Sequence, residues 1–498
     1  MFADLSRRGL LFGGLGAAAT VTLSACGSSP ARPSTAASPA LPSASPAQPT
    51  PGQKTLTAQL TPRQVTLDLG DGVTAKTWAY SDSSEGQLIR ATAGDLLRIS
   101  VDNRLPTDTT VHWHGIHLRN AADGVPGVTQ KPIATGSSYL YEFIAPNPGT
   151  HFYHPHVGVQ LDRGLYGPII VDDPHESGAY DAEWIVVLDD WTDGVGKSPD
   201  DILAGYKAQS GTLSGDMGSG GRGGMGGMGG SSSSPLGDAG DIAYPHYLIN
   251  GRVPTAPRTF AAKKSQRVRI RFINAGSDTV FQVALGGHRL TITHTDGYPV
   301  QPRDTDSFYI SMGERFDATV TLGDGVFPLV AAPVSKDGRP GWALVRTGSG
   351  AAPKVGTSVN QFSGNALLAT DLRPLDSAKL PDKSIDKTIP VTLNGQMQPY
   401  AWGLNGQRFP NADPLTLREG QRVRMQMTNM TMMVHPMHIH GHSWSLPNSG
   451  GLRKDTVLVL PMQTVVADLQ ADNPGDWMYH CHNIYHAELG MMTRLQYT

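Results

Sequence analysis

Residues 94–103, Gly94-Asp95-Leu96-Leu97-Arg98-Ile99-Ser100-Val101-Asp102-Asn103, place Leu97, Ile99 and Val101 at alternate positions, the period of a strand with one buried face. Residues 420–429, Gly420-Gln421-Arg422-Val423-Arg424-Met425-Gln426-Met427-Thr428-Asn429, repeat the pattern with Val423, Met425 and Met427. The offset that carries Gly94 onto Gly420 also carries His112 and His114 onto His438 and His440, Gly149 onto Gly475, and His154 and His156 onto His480 and His482. An ungapped match at four separated places is not a chance event. A third copy runs over 265–274, where Val268, Ile270 and Phe272 alternate; counted on from Asn274, the places of the first histidine pair hold Val283 and Leu285. Three strand-rich units with short turns predict an all-β chain of three β-sandwiches, the outer two bearing metal ligands and the middle one having lost them. The predicted bounds are 55–175, 176–350 and 385–498, with a linker over 351–384.

Composition narrows the classes. Only 2 Cys stand against 17 His and 16 Met in 498 residues, which excludes a disulfide-stapled scaffold and a Cys₄ zinc domain. A net charge of −3 leaves no basic footprint, so no nucleic-acid partner is expected. With 58 Gly and 37 Pro, turns are abundant, and the length suits about three domains. No membrane-spanning body is expected. The first residues read as an address: Ser6-Arg7-Arg8 before an apolar Gly/Ala-rich run matches a twin-arginine export signal over 1–25. Leu23-Ser24-Ala25-Cys26 resembles a lipobox, with Cys26 lipidated. That predicts a membrane-anchored lipoprotein on the outer side of the cytoplasmic membrane, in the cell envelope or periplasm, since acyl chains contribute about 0.8 kcal/mol per buried methylene. Residues 26–54, rich in Ser, Pro and Ala, read as a disordered spacer. A Gly/Ser tract over 211–240 carries Met217, Met225 and Met228; it cannot bury a core and is expected to be a mobile loop.

Four His-X-His pairs, His112/His114, His154/His156, His438/His440 and His480/His482, form the chemical core of the reading. Histidine frequency predicts fewer than one such pair by chance. Along a strand, residues i and i+2 face one side, so each pair can aim two imidazoles into one site. Eight imidazoles favour copper, zinc, iron or nickel over magnesium or calcium. The run His480-Cys481-His482-Asn483-Ile484-Tyr485-His486, continuing to Met491, narrows the metal. One thiolate, two imidazoles and a weak thioether make a blue-copper ligand set, filled by Cys481, His486, His435 and Met491. Alternation turns Cys481 away from His480 and His482, so one tripeptide serves two metal centres. The first unit has Pro155, Thr109, Gln160 and Leu165 at the places of Cys481, His435, His486 and Met491, so only the last unit can hold the blue copper.

With these motifs, His-Trp-His-Gly at 112–115, Tyr-His-Pro-His at 153–156, His-Pro-Met-His-Ile-His at 435–440 and the His-Cys-His run, the chain resembles the three-domain multicopper oxidases, both laccase-like and metal-oxidising. The resemblance covers about 55–498. Within the family it is most similar to exported lipoprotein oxidases of actinobacteria, especially mycobacteria, which are linked to copper tolerance. It implies cupredoxin-like Greek-key sandwiches and four copper ions. The implied ligands are His435, Cys481, His486 and Met491 for type 1 copper and His112 and His438 for type 2. His114, His154, His156, His440, His480 and His482 match the type 3 pair. A reductant would give single electrons at an exposed edge of His486 or His435; these would cross Cys481 to a trinuclear cluster between the outer domains, where O2 becomes two waters. Asp123, in Ala-Asp-Gly-Val-Pro-Gly, matches an acidic position near the cluster, and reads equally as a turn residue. Many relatives carry a carboxylate just before the last histidine of the run; here Tyr485 stands there, and Glu488 is the substitute candidate.

Ten methionines, at 425, 427, 430, 432, 433, 437, 462, 478, 491 and 492, crowd around the blue-copper motifs. Thioethers select Cu(I). Met425 and Met427 alternate like core residues, whereas Met433 matches the position that receives the ion in cuprous oxidases. The acidic partner of that site is missing, its place taken by Thr431. Three functions follow: oxidation of Cu(I) and Fe(II) in copper tolerance, laccase-type oxidation of phenols and aromatic amines, or a non-catalytic copper-binding scaffold. A monomer is expected. His117, His151, His175, His246, His288, His294 and His442 receive no metal role.

Overall fold

In the computed structural model, which describes residues 52–176, 180–210 and 236–498, the three copies of the repeat occupy one position in three successive sandwiches. Leu96–Asp102 lies parallel to Thr55–Leu60 and antiparallel to Ser138–Ile144. Arg267–Asn274 sits the same way between Ala182–Trp191 and Arg315–Thr321. Arg422–Asn429 does so between Lys387–Met397 and Thr464–Gln470. Alternation explains the placement: Leu97, Ile99, Val101, Val268, Ile270, Phe272, Val423, Met425 and Met427 are all fully buried. In the middle copy the other face is buried as well. Arg269 and Arg271 reach Asp317 there, and Arg271 also bonds Thr150 of the first sandwich. An exposed polar face was the expectation; contact with a neighbouring domain replaces it.

The second sheet of each outer sandwich carries the histidines. His112–His114 pairs with Gly149–His154, placing His112 opposite His154, and His435–Ile439 pairs with Asp476–Cys481, placing His438 opposite His480. Gly149 and Gly475 turn the chain into the second strand of each pair at φ +151° and +152°, a conformation that favours glycine. The middle domain's counterpart, Phe281–Leu285, buries Val283 and Leu285 in its core. Three Greek-key sandwiches of cupredoxin type result. Among the described residues α-helix is sparse: Pro199–Ala208, capped by Ser198, and one short turn over Ile484–Glu488. That turn begins directly after the His-Cys-His run, with Asn483 as its cap, and sets His486 on helix rather than strand. Among the described residues no helix is long and apolar enough to cross a membrane. The export signal, Cys26, most of the spacer and the Gly/Met tract as far as residue 235 lie outside the described residues.

Candidate metal centres

Nine side chains from the two outer domains converge in one buried cage. His112, His114 and His438 form one group, His114, His154 and His482 a second, and His156, His440 and His480 a third, while Asp123 joins His112 and His440 in a fourth. Within each group the candidate ligand atoms lie within 4.8 Å of one another. Nε2 of His480 is 3.1 Å from that of His440 and 3.5 Å from that of His156. The pairs reach one cage as expected but not one site each: His154 and His156 divide between groups, as do His438 with His440 and His480 with His482.

Backbone carbonyls fix the tautomers. Nδ1–H of His112 donates to the Asp123 carbonyl, that of His438 to Asp455, that of His154 to Pro155 and that of His480 to Cys481, at 2.8–2.9 Å. His440 donates from Nδ1 to Asp123 Oδ2 at 3.0 Å. A ring that donates at Nδ1 offers its Nε2 lone pair. His114 is reversed, with Nε2 facing Asp455 Oδ1 and Thr456 Oγ1 at 3.2 Å, which frees Nδ1. The inward atoms, Nε2 of His112, His154 and His438, Nδ1 of His114 and both nitrogens of His482, are buried without a hydrogen-bond partner. Buried orphan polar groups are costly, and metal ions of the soft to borderline kind satisfy them. Burial first, then mutual repulsion, holds His114, His154, His156, His438, His440 and His482 well below the usual imidazole range. Burial lowers His480 to about 4. These seven stay neutral and available as ligands.

A separate pocket lies on the far side of the strand end. Cys481 Sγ is 3.7 Å from His435 Nδ1 and 3.8 Å from His486 Nδ1, with the two nitrogens 3.2 Å apart. Ligands about 2.0–2.3 Å from a common ion take such separations. Burial pushes the Cys481 thiol well up, so deprotonation there calls for a bound cation. Met491 is fully buried, and its backbone accepts from the Cys481 N–H and donates to the His486 carbonyl. In the first domain the matching place is closed by Thr109 Oγ1 donating to Gln160 Oε1 at 2.7 Å.

The exposed histidine edge expected at this pocket is absent: His435 and His486 are both 0% exposed. Nε2 of His435 bonds Thr431 Oγ1 at 2.8 Å. Nε2 of His486 bonds Asp241 Oδ2 at 3.2 Å, and Trp402 stacks on the His486 ring. Asp241 belongs to a middle-domain segment that crosses the third domain, where Asp238 bridges Met433 and its carbonyl accepts from the Val434 N–H. Met433 is 3% exposed. Asp123 ends the 3₁₀ turn Asn120–Ala122, with its carbonyl accepting from His112 and its carboxylate from His440. Tyr485 points elsewhere, donating to buried Asp162 at 2.5 Å. Burial raises the Glu488 carboxyl. His442, beside the cage, bonds the His440 carbonyl and Tyr497.

Sequence reasoning missed Asp455, Thr456, Arg315 and Asp241. Arg315 is fully buried, ion-pairs with Asp455 at 2.5 Å and donates to the Thr150 carbonyl at 2.9 Å, so the middle domain touches both outer ones beside the cage. Lys454-Asp455-Thr456 looks like an ordinary polar turn, and nothing in its spacing announces a contact with His114, 341 residues away.

A buried histidine cage beside a Cys-His₂ pocket, carried on three cupredoxin sandwiches, defines a metal-dependent redox protein. Comparison with known proteins supplies the family. Models described as multicopper oxidase match residues 61–176, 183–349 and 383–498. The chain is 46% identical to multicopper oxidase MmcO of Mycobacterium tuberculosis over 99% of this chain and 96% of that protein. It is 28% identical to copper resistance protein A of Escherichia coli, covering 82% and 87% of the two. A solved multi-copper oxidase from Pseudomonas thermotolerans superposes with TM-score 0.69 at 25% identity, covering 90% of this chain and all of that one. Fet3p, a multicopper oxidase that functions in iron import, shares the fold with TM-score 0.74 at 20% identity, over 89% and 90% of the chains. The chain belongs to the multicopper oxidase family, and is a copper-dependent oxidoreductase with O2 as acceptor.

Proposed function

We propose that the protein oxidises Cu(I), and Fe(II) as a second metal reductant, in copper tolerance, using four coppers. Cys481, His435, His486 and Met491 hold the type 1 ion, His112 and His438 the type 2 ion, and His114, His154, His156, His440, His480 and His482 the type 3 pair. Those coppers supply one-electron redox chemistry and O2 reduction: four electrons and four protons convert one O2 to two waters.

The chain's own residues do the rest. Cys481 and its flanking histidines make the shortest covalent link between pocket and cage, because alternation sends the three side chains to opposite sides. Asp123 fixes His112 and His440 and is the acidic group placed to hand protons to the cage. Burial of both centres excludes water and keeps partly reduced oxygen in place. The observation that carries the Cu(I) reading is the segment through Asp238 and Asp241, which lays one carboxylate on His486 and meets the chain at Met433. A carboxylate reaching the pocket through His486 stands in for the acid that Thr431 lacks, and the thioether selects the cuprous ion. The name of the relative called copper resistance protein A fits this reading. Oxidation of phenols and aromatic amines is the second reading, favoured by the aromatic rings packed against His486.

Export by the twin-arginine route, anchoring through Cys26 and a monomeric state in the cell envelope complete the proposal. O2 uptake driven by Cu(I) and by a phenol, in the wild type and Met433→Leu, tests it. Selective loss of the Cu(I) reaction is expected. Equal loss for both substrates, or none, overturns the assignment of Met433.

A further inference from the structure

His486 is sealed from solvent, yet a line of aromatic rings leads from it to the surface. Trp402 stacks on His486 with ring centroids 4.0 Å apart and 29° between planes. Tyr400 meets Trp402 edge-on at 5.5 Å, and Tyr206 stacks on Tyr400 at 4.2 Å and 17°. Trp402 and Tyr400 are buried, whereas Tyr206, on the helix Pro199–Ala208, is half-exposed. We propose that the ring of Tyr206 is a second contact site for reductants, taking phenols and aromatic amines, and that Tyr206, Tyr400 and Trp402 conduct their electrons inward to His486. The proposal rests on the reading of His435, Cys481 and His486 as the type 1 pocket.

Two observations separate this line from ordinary core packing. Room for the Trp402 indole is made by Gly395, its cross-strand neighbour, where a Cβ would strike the ring. The phenols are held at defined points: Tyr400 donates to Asp241 Oδ2, the same carboxylate that meets His486, and Tyr206 donates to the Asp241 carbonyl at 3.3 Å. One short segment thus fixes the ligand and both tyrosines together. Among the described residues His435 and His486 offer no exposed edge to an aromatic reductant, but it can stack on Tyr206, where face or edge contacts between rings are favourable.

The step balances simply. A phenol in contact with Tyr206 loses one electron through the rings and one proton to solvent, becoming a phenoxyl radical, and the electron reduces Cu(II) held by Cys481 to Cu(I). Four such events supply the reduction of one O2. Metal reductants are assigned to Met433 in the proposed function, so the two substrate classes use different contact residues.

The experiment follows anaerobic bleaching of the blue absorbance by syringol and by Cu(I) in the wild type, Tyr206→Leu and Tyr206→Trp. Removal of one ring contact should lower the syringol-to-Cu(I) ratio of rate constants by about tenfold in Tyr206→Leu, and Tyr206→Trp should restore it. A second readout needs no copper: saturation-transfer NMR on the metal-free protein should show syringol contact in the wild type that Tyr206→Leu abolishes. An unmoved ratio in a blue protein, unchanged NMR contact, or a wild type that syringol does not bleach overturns the proposal alone. A copper-loaded wild type without a blue band overturns the pocket assignment and the proposal with it.

Discussion

Cys481 is the only free cysteine among the described residues, and burial raises its thiol, offset in part by the backbone N–H of Asn483. Substituting it should therefore act on the pocket and not on the cage. Cys481→Ser is expected to abolish the blue absorbance and lower bound copper by one ion, leaving the histidine cage loaded. Absorption spectra with metal analysis check this. The Asp123 carboxylate acts one step further out, its Oδ2 accepting from His440 Nδ1. Asp123→Asn should lower O2 turnover by about 10–100-fold, the usual effect of losing a carboxylate behind a ligand histidine, with the blue band unchanged. The His-X-His pairs and the Cys481 run were legible because strand alternation ties spacing to direction. Asp455 and Asp241 were not, since they meet His114 and His486 through tertiary structure, and a lone Asp in a turn carries no period. The covered edge of His486 was illegible for the same reason.

At the scale of elements, the middle domain lost its ligands but kept a place at the cage. The turn around Gly313, at φ +82°, runs so close that a Cβ there would lie 2.8 Å from His482 Cδ2 and 2.9 Å from His114 Cε1. Two residues on, Arg315 closes the ion pair with Asp455, whose Oδ1 faces His114. Gly313→Ala must push two rings that end in the same group, so it should cost the type 3 copper pair while sparing the blue absorbance; paramagnetic resonance with copper counting separates the two. Arg315→Ala leaves Asp455 buried without its partner, and loss of stability of about 3–5 kcal/mol is expected, measured by denaturant unfolding. The sequence repeat revealed where the middle strands lie, because buried alternation survives loss of function. It could not reveal Gly313, whose importance lies in what a side chain would displace.

For the whole molecule, the cage is the joint. Its ligands come from strands and strand ends in the first and third sandwiches, and around it the two meet directly. Asn120 donates to the Asp476 carbonyl at 2.7 Å, Asn473 to that of Leu118 at 2.8 Å and His440 to Asp123, His114 faces Asp455 and Thr456, and Val125 packs against Met478, Ala487 and Met492. Without metal, these contacts must hold a group of buried imidazoles, of which His112, His114, His154, His438 and His482 have inward nitrogens without hydrogen-bond partners. Metal binding satisfies those nitrogens only when both sandwiches are folded and docked, so binding free energy becomes docking free energy. At a free copper concentration a thousandfold above Kd, linkage contributes about 4 kcal/mol per site. Stripping copper should lower the calorimetric midpoint and separate one transition into two, with the outer sandwiches no longer unfolding together. Restoring copper should raise the midpoint with concentration and merge the transitions again. Cys481→Ser makes the control, because its empty pocket lies within the third sandwich and does not bridge domains; its cage should still merge the transitions. Identical midpoints with and without copper would mean that protein contacts alone hold the joint.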